Sequence, residues 1–420
     1  MERNNSGPFR PLVGTIIADF STNMAGPYAT MILAQLGADV VKVEPPQGDD
    51  ARHWPPAHRD GSIVHCHVNA GKRGIALDLT REGARAVALR LASRAHVLLQ
   101  SMRPGVAARI GIGEADIRCV NAGILYYDLN AFGAGPLGRA LPGYDPLVQA
   151  FSGIMRMNGH DGSPPSRCAP SVIDLGTGQW IAMAILAALL AKEKGQKVEH
   201  IETALVDTAF ALVPYQATTA RMTGQRPRRA GSGNPIAAPY QTYSVGDDLI
   251  MIAAPNQRLW ERLANALNAP HLLLDSRYAT VAERSANTAA LDEDITRLLA
   301  GSSVDDWLTR LSAAGVPVTR LAGLESAVRG YIADERETFS DLDEVPLVRL
   351  PWLVDGAAVQ SGRAAPRLGE HTRQVLGEFG FGDVEIDAMV RDGIAFCANA
   401  DPVMKPDSKR QDTTASSEPK

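Results

Sequence analysis

One acid in this sequence stands where a long apolar helix is predicted to begin. Asp174 lies in the segment 171–178 (SVIDLGTG), just ahead of the apolar run 179–190 (QWIAMAILAALL). A carboxylate there would face the unpaired N–H groups and positive dipole end of the helix, which favour its ionised form. Glycines beside it would leave room for a bound acyl group. Asp174 is therefore a candidate covalent nucleophile, and the alternative is an ordinary helix cap, because Asp is a preferred capping residue.

Composition narrows the class of protein. With 420 residues, 45% hydrophobic and 21% charged, the chain is long enough for two soluble domains. A net charge of −5 argues against general nucleic-acid binding. Because Lys192 and Lys194 close the longest apolar run, and the N-terminus lacks a signal-peptide core, we expect neither a membrane span nor export.

The cysteines and histidines do not predict a metal site. The four cysteines are scattered without metal-ligand or redox spacing, which favours reduced thiols in a cytoplasmic protein. The triplet His65-Cys66-His67 resembles a ligand cluster, but on a predicted strand Cys66 would face away from both histidines. We therefore expect no bound metal.

Strands and helices alternate through the first half of the chain. The predicted strands are 14–20, 38–44, 75–79, 96–102 and 124–132. The predicted helices are 27–36, with Pro27 at its first position, a Thr80-capped helix to Arg94, and 114–120. This alternation predicts an α/β domain with an open, mostly parallel, Rossmann-like sheet. Ligands of such sheets lie beyond the carboxyl ends of the strands, here in the loops after Phe20, Glu44 and Met102.

The pattern changes after residue 197. A short strand (197–200) precedes a helix towards Met222, and the basic stretch 224–233 marks a domain boundary. A hairpin over 240–254 and helices over 257–267 and 304–314 predict a small α+β domain. A further helix opens at residues 369–372, and the polar segment 401–420 is predicted to be a disordered tail.

A dinucleotide site is the first alternative for the sheet edge. Glu44 ends the second strand, where an acid can hold a ribose, but 19–26 contains a single glycine instead of the dinucleotide fingerprint. NAD binding is therefore not expected. Basic residues in the same loops suit phosphate groups instead: Arg52, Lys72, Arg73, Arg103 and Arg109.

Taken together, these segments resemble the class III CoA-transferase family, which contains formyl-CoA and carnitine CoA-transferases. The resemblance covers nearly the whole chain except the tail. The matching segments are Asp19-Phe20 with Ala25-Gly26-Pro27, 36–44 (LGADVVKVE), Gly48-Asp49 with Arg52, Lys72-Arg73 with 76–79 (ALDL), 100–105 (QSMRPG) with Arg109 and Gly111, Gly143-Tyr144-Asp145 with 149–153 (QAFSG), the Asp174 segment, Pro235 with Pro239-Tyr240, Gly315-Val316-Pro317 and Gly369-Glu370-His371-Thr372.

The resemblance implies a covalent mechanism at Asp174. Its carboxylate would attack an acyl-CoA thioester, giving an aspartyl-acyl anhydride and then an aspartyl-CoA thioester that loads an acceptor acid. An Asp of ordinary or lowered pKa suits this step, since it is almost fully ionised at pH 7. The positions that match the family's CoA contacts are Met24, Ala25, Lys72, Arg73, Ser101, Met102 and Arg109. The acyl-site candidates are Tyr144, Asp145, Gly176, Gly231, Ser232 and Gly233, with the Gly176 and Gly231 amides as possible oxyanion donors.

The resemblance also implies an architecture. A large CoA-binding domain would comprise 1–200 and 345–400, and linkers at 201–225 and 326–344 would flank a small domain at 226–325. Members form interlocked homodimers. Acyl-CoA and small carboxylic acids would be the substrates, with CoA as a substrate and no permanently bound cofactor.

Two departures from the family pattern, and one difference from a related branch, bear on these expectations. Residues 231–235 (GSGNP) replace the more usual Gly-Asn-x-His-Pro, and 100–102 (QSM) replaces Glu-Asn-Phe. The 2-methylacyl-CoA racemases share the fold but carry a histidine base where this chain has Tyr144, and Tyr is a poor base near pH 7. The sequence therefore favours transfer over racemisation, and a non-catalytic CoA-binding protein is the third alternative.

Overall fold

A computed structural model describes residues 9–58, 61–333, 337–360 and 362–398. The strands are β1 (Ile16–Phe20), β2 (Asp39–Glu44), β3 (Ala57–His58), β4 (Gly61–Ser62), β5 (Arg73–Leu77), β6 (Val97–Gln100), β7 (Leu125–Asn130), β8 (His200–Ala204), β9 (Tyr240–Val245), β10 (Asp248–Ala253), β11 (Val318–Arg320), β12 (Phe339–Leu342), β13 (Val345–Val348), β14 (Leu353–Val354), β15 (Ala357–Ala358) and β16 (Ala395–Phe396).

The helices follow the same order along the chain. They are α1 (Ala25–Gln35), α2 (Ile63–Asn69), α3 (Glu82–Arg94), α4 (Val106–Arg109), α5 (Glu114–Val120), α6 (Pro136–Ala140), α7 (Asp145–Phe151), α8 (Ile154–Met157), α9 (Val172–Glu193), α10 (Leu205–Leu212), α11 (Pro214–Thr223), α12 (Gln257–Ala266), α13 (Val281–Ala286), α14 (Thr288–Leu299), α15 (Val304–Ala313), α16 (Leu324–Ala333), α17 (Thr372–Glu378) and α18 (Asp383–Arg391).

A seven-stranded sheet organises the larger part of the molecule. Its order is β16-β5-β2-β1-β6-β7-β8, and all neighbours are parallel except the antiparallel edge strand β16. The side chains of β1 alternate between the two faces, so that Ile17 enters one apolar core and Ala18 the other. Helices α1 and α9 cover the first face, while α3, α17 and α18 cover the second. The predicted α/β class with a mostly parallel sheet is confirmed.

Helices α1 and α9 meet at close range because a glycine lies between them. A Cβ atom placed on Gly178 would lie 2.7 Å from the Ala25 carbonyl oxygen and 2.9 Å from Tyr28 Cδ1. Glycine is therefore needed for the two backbones to approach. This crossing places the beginning of α1 beside the beginning of α9.

Two predicted helix starts and one predicted strand are wrong. Helix α1 starts at Ala25, two residues before the predicted start, because the first turn of a helix needs no internal N–H bond and so tolerates Pro27. Arg81, not Thr80, precedes α3. The triplet 65–67, predicted as a strand, lies on α2.

Residues 238–318 build a separate apolar core around the antiparallel sheet β11-β10-β9. This core falls within the predicted small domain, and the exact domain limits stay a prediction. The predicted linker 201–225 is wrong in part, because it contains the last strand of the large sheet and α10, whose Leu205 and Ala209 are buried in the large core. The predicted linker 326–344 likewise holds most of α16 and β12. The predicted tail, 401–420, lies outside the described residues.

Helix α9 is the one helix of the described residues that is long and apolar enough to cross a membrane by length and composition. The expectation that Lys192 and Lys194 interrupt the run too early was therefore wrong. One such helix is weak evidence for a membrane span, because a core helix of a soluble protein passes the same test. Residues Ile173, Ile181 and Ile185 of α9 are buried in the core shared with α1.

Candidate active site

An open cleft lies at the carboxyl edge of the sheet, with an empty volume of about 1370 Å³ including its solvent-filled mouth. The structure brings six of the predicted site residues to its walls: Met24, Ala25, Ser101, Met102, Tyr144 and Asp174. Arg103, one of the basic residues expected to suit phosphate groups, lines it as well. Residues that the sequence analysis did not assign to the site also line it: Thr22, Asn23, Trp54, Pro104, Leu129, Asn130, Ala131, Gly138, Arg139, Ala140, Leu141, Pro142, Gly143 and Leu205.

Asp174 lies in the first turn of α9, but a different acid caps that helix. The buried Asp145 accepts hydrogen bonds through Oδ2 from the backbone N–H of Ile173 at 2.9 Å and of Asp174 at 3.3 Å. Gln149 Nε2 donates to the other oxygen of Asp145 at 2.6 Å, which fixes its orientation. Because Asp145 occupies the helix-end amides, Asp174 is not the cap, and its carboxylate is left to face the cleft.

The prediction of an ordinary or lowered pKa for Asp174 is corrected by this arrangement. Burial raises the pKa of Asp174 to about 7, and the neighbouring Asp145 carboxylate adds to the rise. The helix end that was expected to favour the anion is already satisfied by Asp145. The nucleophile candidate is therefore a carboxyl group that titrates near neutral pH.

The glycines after Asp174 serve packing. A Cβ atom on Gly176 would lie 3.3 Å from Thr208 Cγ2 of α10, and Gly178 touches α1. The Gly176 N–H lies inside the α9 hydrogen-bond ladder, because Leu175 N already donates to Ser171 O. Gly176 is therefore corrected from oxyanion donor to helix-contact residue.

The opposite wall begins with a turn, 21–23, that is held at every residue. Ser21 N donates to Asp19 Oδ1, Thr22 N to Ser101 Oγ, and Asn23 N to Asp49 Oδ1, each at 3.0 Å. This turn leads directly into α1, so its backbone position fixes where Met24 and Ala25 meet the cleft.

Lys72 binds groups inside the protein, next to the turn 21–23 and α1, and does not reach the cleft. Its fully buried ammonium donates to Asp19 Oδ2 at 3.0 Å, to Asn69 Oδ1 at 2.8 Å and to the Pro27 carbonyl at 2.9 Å. Burial alone would raise the pKa of Asp19, but Lys72, Lys42 and two hydroxyl donors outweigh it and lower the pKa to about 2. The assignment of Lys72 as a CoA contact is therefore corrected, because all of its donors are used inside the protein.

Two predicted phosphate-binding arginines are also internal. Arg73 pairs with Asp39 and Glu378, each at 2.6 Å, and so joins β5 to the C-terminal helix α17. Arg52 forms a double hydrogen bond with the buried Glu44, at 2.7 and 2.8 Å. The sequence showed the charge of these residues but not their burial.

The basic groups that do line the cleft are Arg103 and Arg139. Arg109 follows on the short helix α4, where it is exposed and is not among the lining residues. Arg139 was missed because it lies in an irregular glycine-rich stretch, 133–143, that carries no periodic pattern. Arg103 and Arg139 are the positive charges available to an anionic ligand.

The predicted acyl-site loop 231–233 lies elsewhere in this chain. Gly231 N donates to Gly159 O at 3.1 Å, and Ser232 Oγ and Thr242 Oγ1 lie 2.7 Å apart. Gly233 lines a second cavity, together with Arg228, Tyr240 and neighbouring residues. Within one chain the structure does not bring Gly231, Ser232 or Gly233 to Asp174.

No group of three or more metal-ligating side chains occurs among the residues that the structure describes. None of the four cysteines, all of which lie in the described part of the chain, forms a disulfide. Among the described residues that line it, the cleft itself offers one carboxyl group, that of Asp174, and the two arginines Arg103 and Arg139.

Comparison with known proteins identifies the class. Residues 12–372 match the sequence model of CoA-transferase family III. The chain is 34% identical over 329 residues to an acetyl-CoA:oxalate CoA-transferase from Acetobacter aceti, which covers 78% of this chain and 84% of the relative. It is 31% identical over 382 residues to a succinate–glutarate CoA-transferase from Agrobacterium fabrum, with 88% and 95% covered.

Solved structures agree with the sequence match. A CAIB/BAIF family protein from Brucella suis superimposes with a TM-score of 0.79 at 30% identity, covering 88% of this chain and 99% of that chain. Rv3272 from Mycobacterium tuberculosis gives 0.78 at 29% identity, with 87% and 99% covered. The chain belongs to CoA-transferase family III. It is an enzyme that transfers coenzyme A between acyl-CoA and carboxylic acids, which sets aside the alternative of a non-catalytic CoA-binding protein.

Proposed function

We propose that this CoA-transferase works through a covalent intermediate on Asp174. An oxygen of the Asp174 carboxylate attacks the thioester carbon of the donor. A C–O bond forms, the C–S bond breaks, and CoA leaves as a thiolate with the electron pair. The thiolate then attacks the aspartyl carbon of the anhydride, and the donor acid leaves as a carboxylate.

The second half of the reaction makes and breaks the same kinds of bond in reverse order, with the acceptor acid in place of the donor acid. The acceptor carboxylate attacks the aspartyl-CoA thioester, giving an aspartyl-acceptor anhydride and CoA thiolate. The thiolate attacks the acceptor's carbonyl carbon, which yields the new acyl-CoA and restores the Asp174 carboxylate. Atoms and charge balance without an external oxidant, reductant or water.

The observation that carries this proposal is the surroundings of Asp174. It is the one carboxylate among the described lining residues of the cleft, and Asp145 leaves it free of a capping role. A pKa raised to about 7 makes its anion a stronger nucleophile than an ordinary carboxylate, while about half of it stays ionised at pH 7. Both properties suit attack on a thioester.

The experiment compares wild type with Asp174→Ala and Asp174→Asn. We expect wild type to exchange CoA between thioester and acid, and the peptide containing residue 174 to gain the mass of the acyl group or of CoA. Hydroxylamine should trap the acylated form. Both variants should lose exchange while still binding CoA. Exchange that persists in Asp174→Ala, or a peptide that never gains mass during turnover, would contradict the proposal.

We extend the proposal to substrates that are small carboxylic acids carrying a second negative charge. The relatives' names specify oxalate, succinate, glutarate and mesaconate. Arg103 and Arg139 add positive charge to a cleft whose other lining includes Leu141, Pro142 and Leu205. A panel of mono- and dicarboxylic acceptors, each offered with acetyl-CoA and succinyl-CoA, tests this extension, and equal rates for propionate and succinate would contradict it.

We also propose a homodimer in the cytoplasm. Helices α9, α10 and α11 expose apolar side chains that include Trp180, Met183, Phe210 and Tyr215, between 46% and 64% accessible. A surface of this kind is typical of a protein interface. Sedimentation velocity of the full chain should give twice the mass of one chain, and a stable monomer at micromolar concentration would contradict the assembly. The four cysteines form no disulfide in the described residues, which supports a reducing compartment.

A further inference from the structure

Asn23 combines two unusual local features at the wall of the active-site cleft. Its backbone has φ 67°, in the left-handed region that residues other than glycine rarely adopt. Asn23 is also one of the residues that line the same cleft as Asp174. Departures of this kind concentrate at functional sites, where the surrounding structure holds them in place.

The surrounding structure does hold this residue. Asp49, which is buried, accepts from Asn23 N at 3.0 Å and from Ala51 N at 3.0 Å. Its second oxygen pairs with Lys42 Nζ at 2.8 Å, and Lys42 also donates to the Ser21 carbonyl at 2.9 Å. The turn is therefore clamped from both ends by a buried ion pair, which fixes the direction in which Asn23 leaves the backbone.

The side chain of Asn23, in contrast, has no partner. Its Oδ1 is buried without a hydrogen bond, and no hydrogen bond joins its Nδ2 to any other residue of the described ranges. Nδ2 is not among the buried atoms without a partner, so it keeps some exposure to solvent, and Asn23 lies at the wall of the cleft. Asparagine tolerates the left-handed backbone, but glycine would do so without burying an unpaired oxygen. The left-handed backbone therefore does not explain why the residue at this position carries a side-chain amide.

We propose that Asn23 is a substrate-contacting residue whose Nδ2 donates to the thioester carbonyl oxygen of the bound acyl-CoA. This inference rests on the proposed function of Asp174. As Asp174 attacks, the C=O double bond becomes a C–O⁻ single bond, and a donor already fixed in place stabilises the charge that develops there. The clamped turn supplies the fixed position.

The test uses two substitutions that separate the backbone role from the side-chain role. Asn23→Gly keeps access to φ 67° and removes the amide, whereas Asn23→Ala removes the amide and strains the backbone. We expect both variants to lose about 100- to 1000-fold in kcat with acyl-CoA, as is typical for the loss of one oxyanion donor. Only Asn23→Ala should also lower the melting temperature. Asn23→Asp, which puts a negative charge opposite the developing oxyanion, should lose more kcat than Asn23→Gly.

Three results would overturn the inference. Asn23→Gly with the kcat of wild type would show that asparagine is present for its backbone alone. A change in the KM for acyl-CoA with kcat unchanged would place the contact on a part of CoA that does not react. Asn23→Asp at least as active as Asn23→Gly would show that the amide does not act as a donor.

Wild type and Asp174→Ala are measured in the same assay, so that the two ideas fail separately. Loss of exchange in Asp174→Ala together with full activity in Asn23→Gly removes the inference and leaves the proposed function standing. Full activity in Asp174→Ala removes both.

Discussion

The raised pKa of Asp174 predicts a pH dependence for the first chemical step. Only the ionised carboxylate attacks the thioester, so the acylation rate must rise with pH through the pKa of about 7. The ionised fraction is about one tenth at pH 6, about one half at pH 7 and about nine tenths at pH 8. We therefore expect the single-turnover rate of acylation to increase about tenfold between about pH 6 and about pH 8 and then to level off.

Asp145→Asn tests the cause of the shift. It removes the neighbouring negative charge but keeps an oxygen for the amides of Ile173 and Asp174. The midpoint should move to lower pH, yet stay above the ordinary value of 3.8, because burial is the larger cause of the rise. Asp161→Asn, the same charge change at an exposed position, is the matched control and should leave the midpoint unchanged.

The assay is a rapid acid quench after mixing enzyme with one equivalent of acyl-CoA, followed by digestion and mass measurement of the peptide that contains Asp174. This readout follows acylation itself and does not depend on later release of product. A rate that is constant between about pH 5 and about pH 8, or a wild-type midpoint near 4, would refute the reasoning.

Two further predictions concern stability. Lys72→Met leaves the buried Asp19 without its nearest counter-charge and should lower the free energy of unfolding by about 3–5 kcal/mol in urea titrations, while the folded enzyme keeps its affinity for CoA. Weaker CoA binding at unchanged stability would instead restore Lys72 as a ligand contact. Gly178→Ala places a Cβ atom 2.7 Å from the Ala25 carbonyl, so overpacking of about 1–3 kcal/mol should outweigh the helix-propensity gain of about 1 kcal/mol. Gly377→Ala, on a helix with no atom within 4 Å of the added Cβ, should not lower stability, and equal effects at the two glycines would contradict the crossing.

The fold was predictable where the local signal is strong. The helix at Glu114–Val120 has the predicted limits, and the parallel sheet follows from the alternation of strands and helices. The antiparallel edge strand β16 was not predictable, because two residues carry no periodicity and Thr372, which donates to Phe396 O at 2.7 Å, acts across the fold.

Some residues of the candidate site were predictable from the sequence and others were not. Asp174 could be singled out because a lone acid before an apolar run is visible in the sequence. Its cap could not, because Asp145 lies 29 residues away and reaches the helix only after folding. The sequence likewise shows that Lys72 is positively charged. Whether it binds a ligand or an internal carboxylate depends on how deeply the folded chain buries it. Nothing in the sequence indicates that the side-chain oxygen of Asn23 is buried without a hydrogen bond.

The glycine at the crossing of α1 and α9 has a mechanical consequence. Because no side chain separates these two backbones, Asp174 on α9 and the turn 21–23 ahead of α1 are held in a fixed relative position. A bulky thioester therefore cannot enter the cleft by separating α1 from α9. The donor therefore reaches Asp174 through the open mouth of the cleft, along the wall that residues 138–144 form.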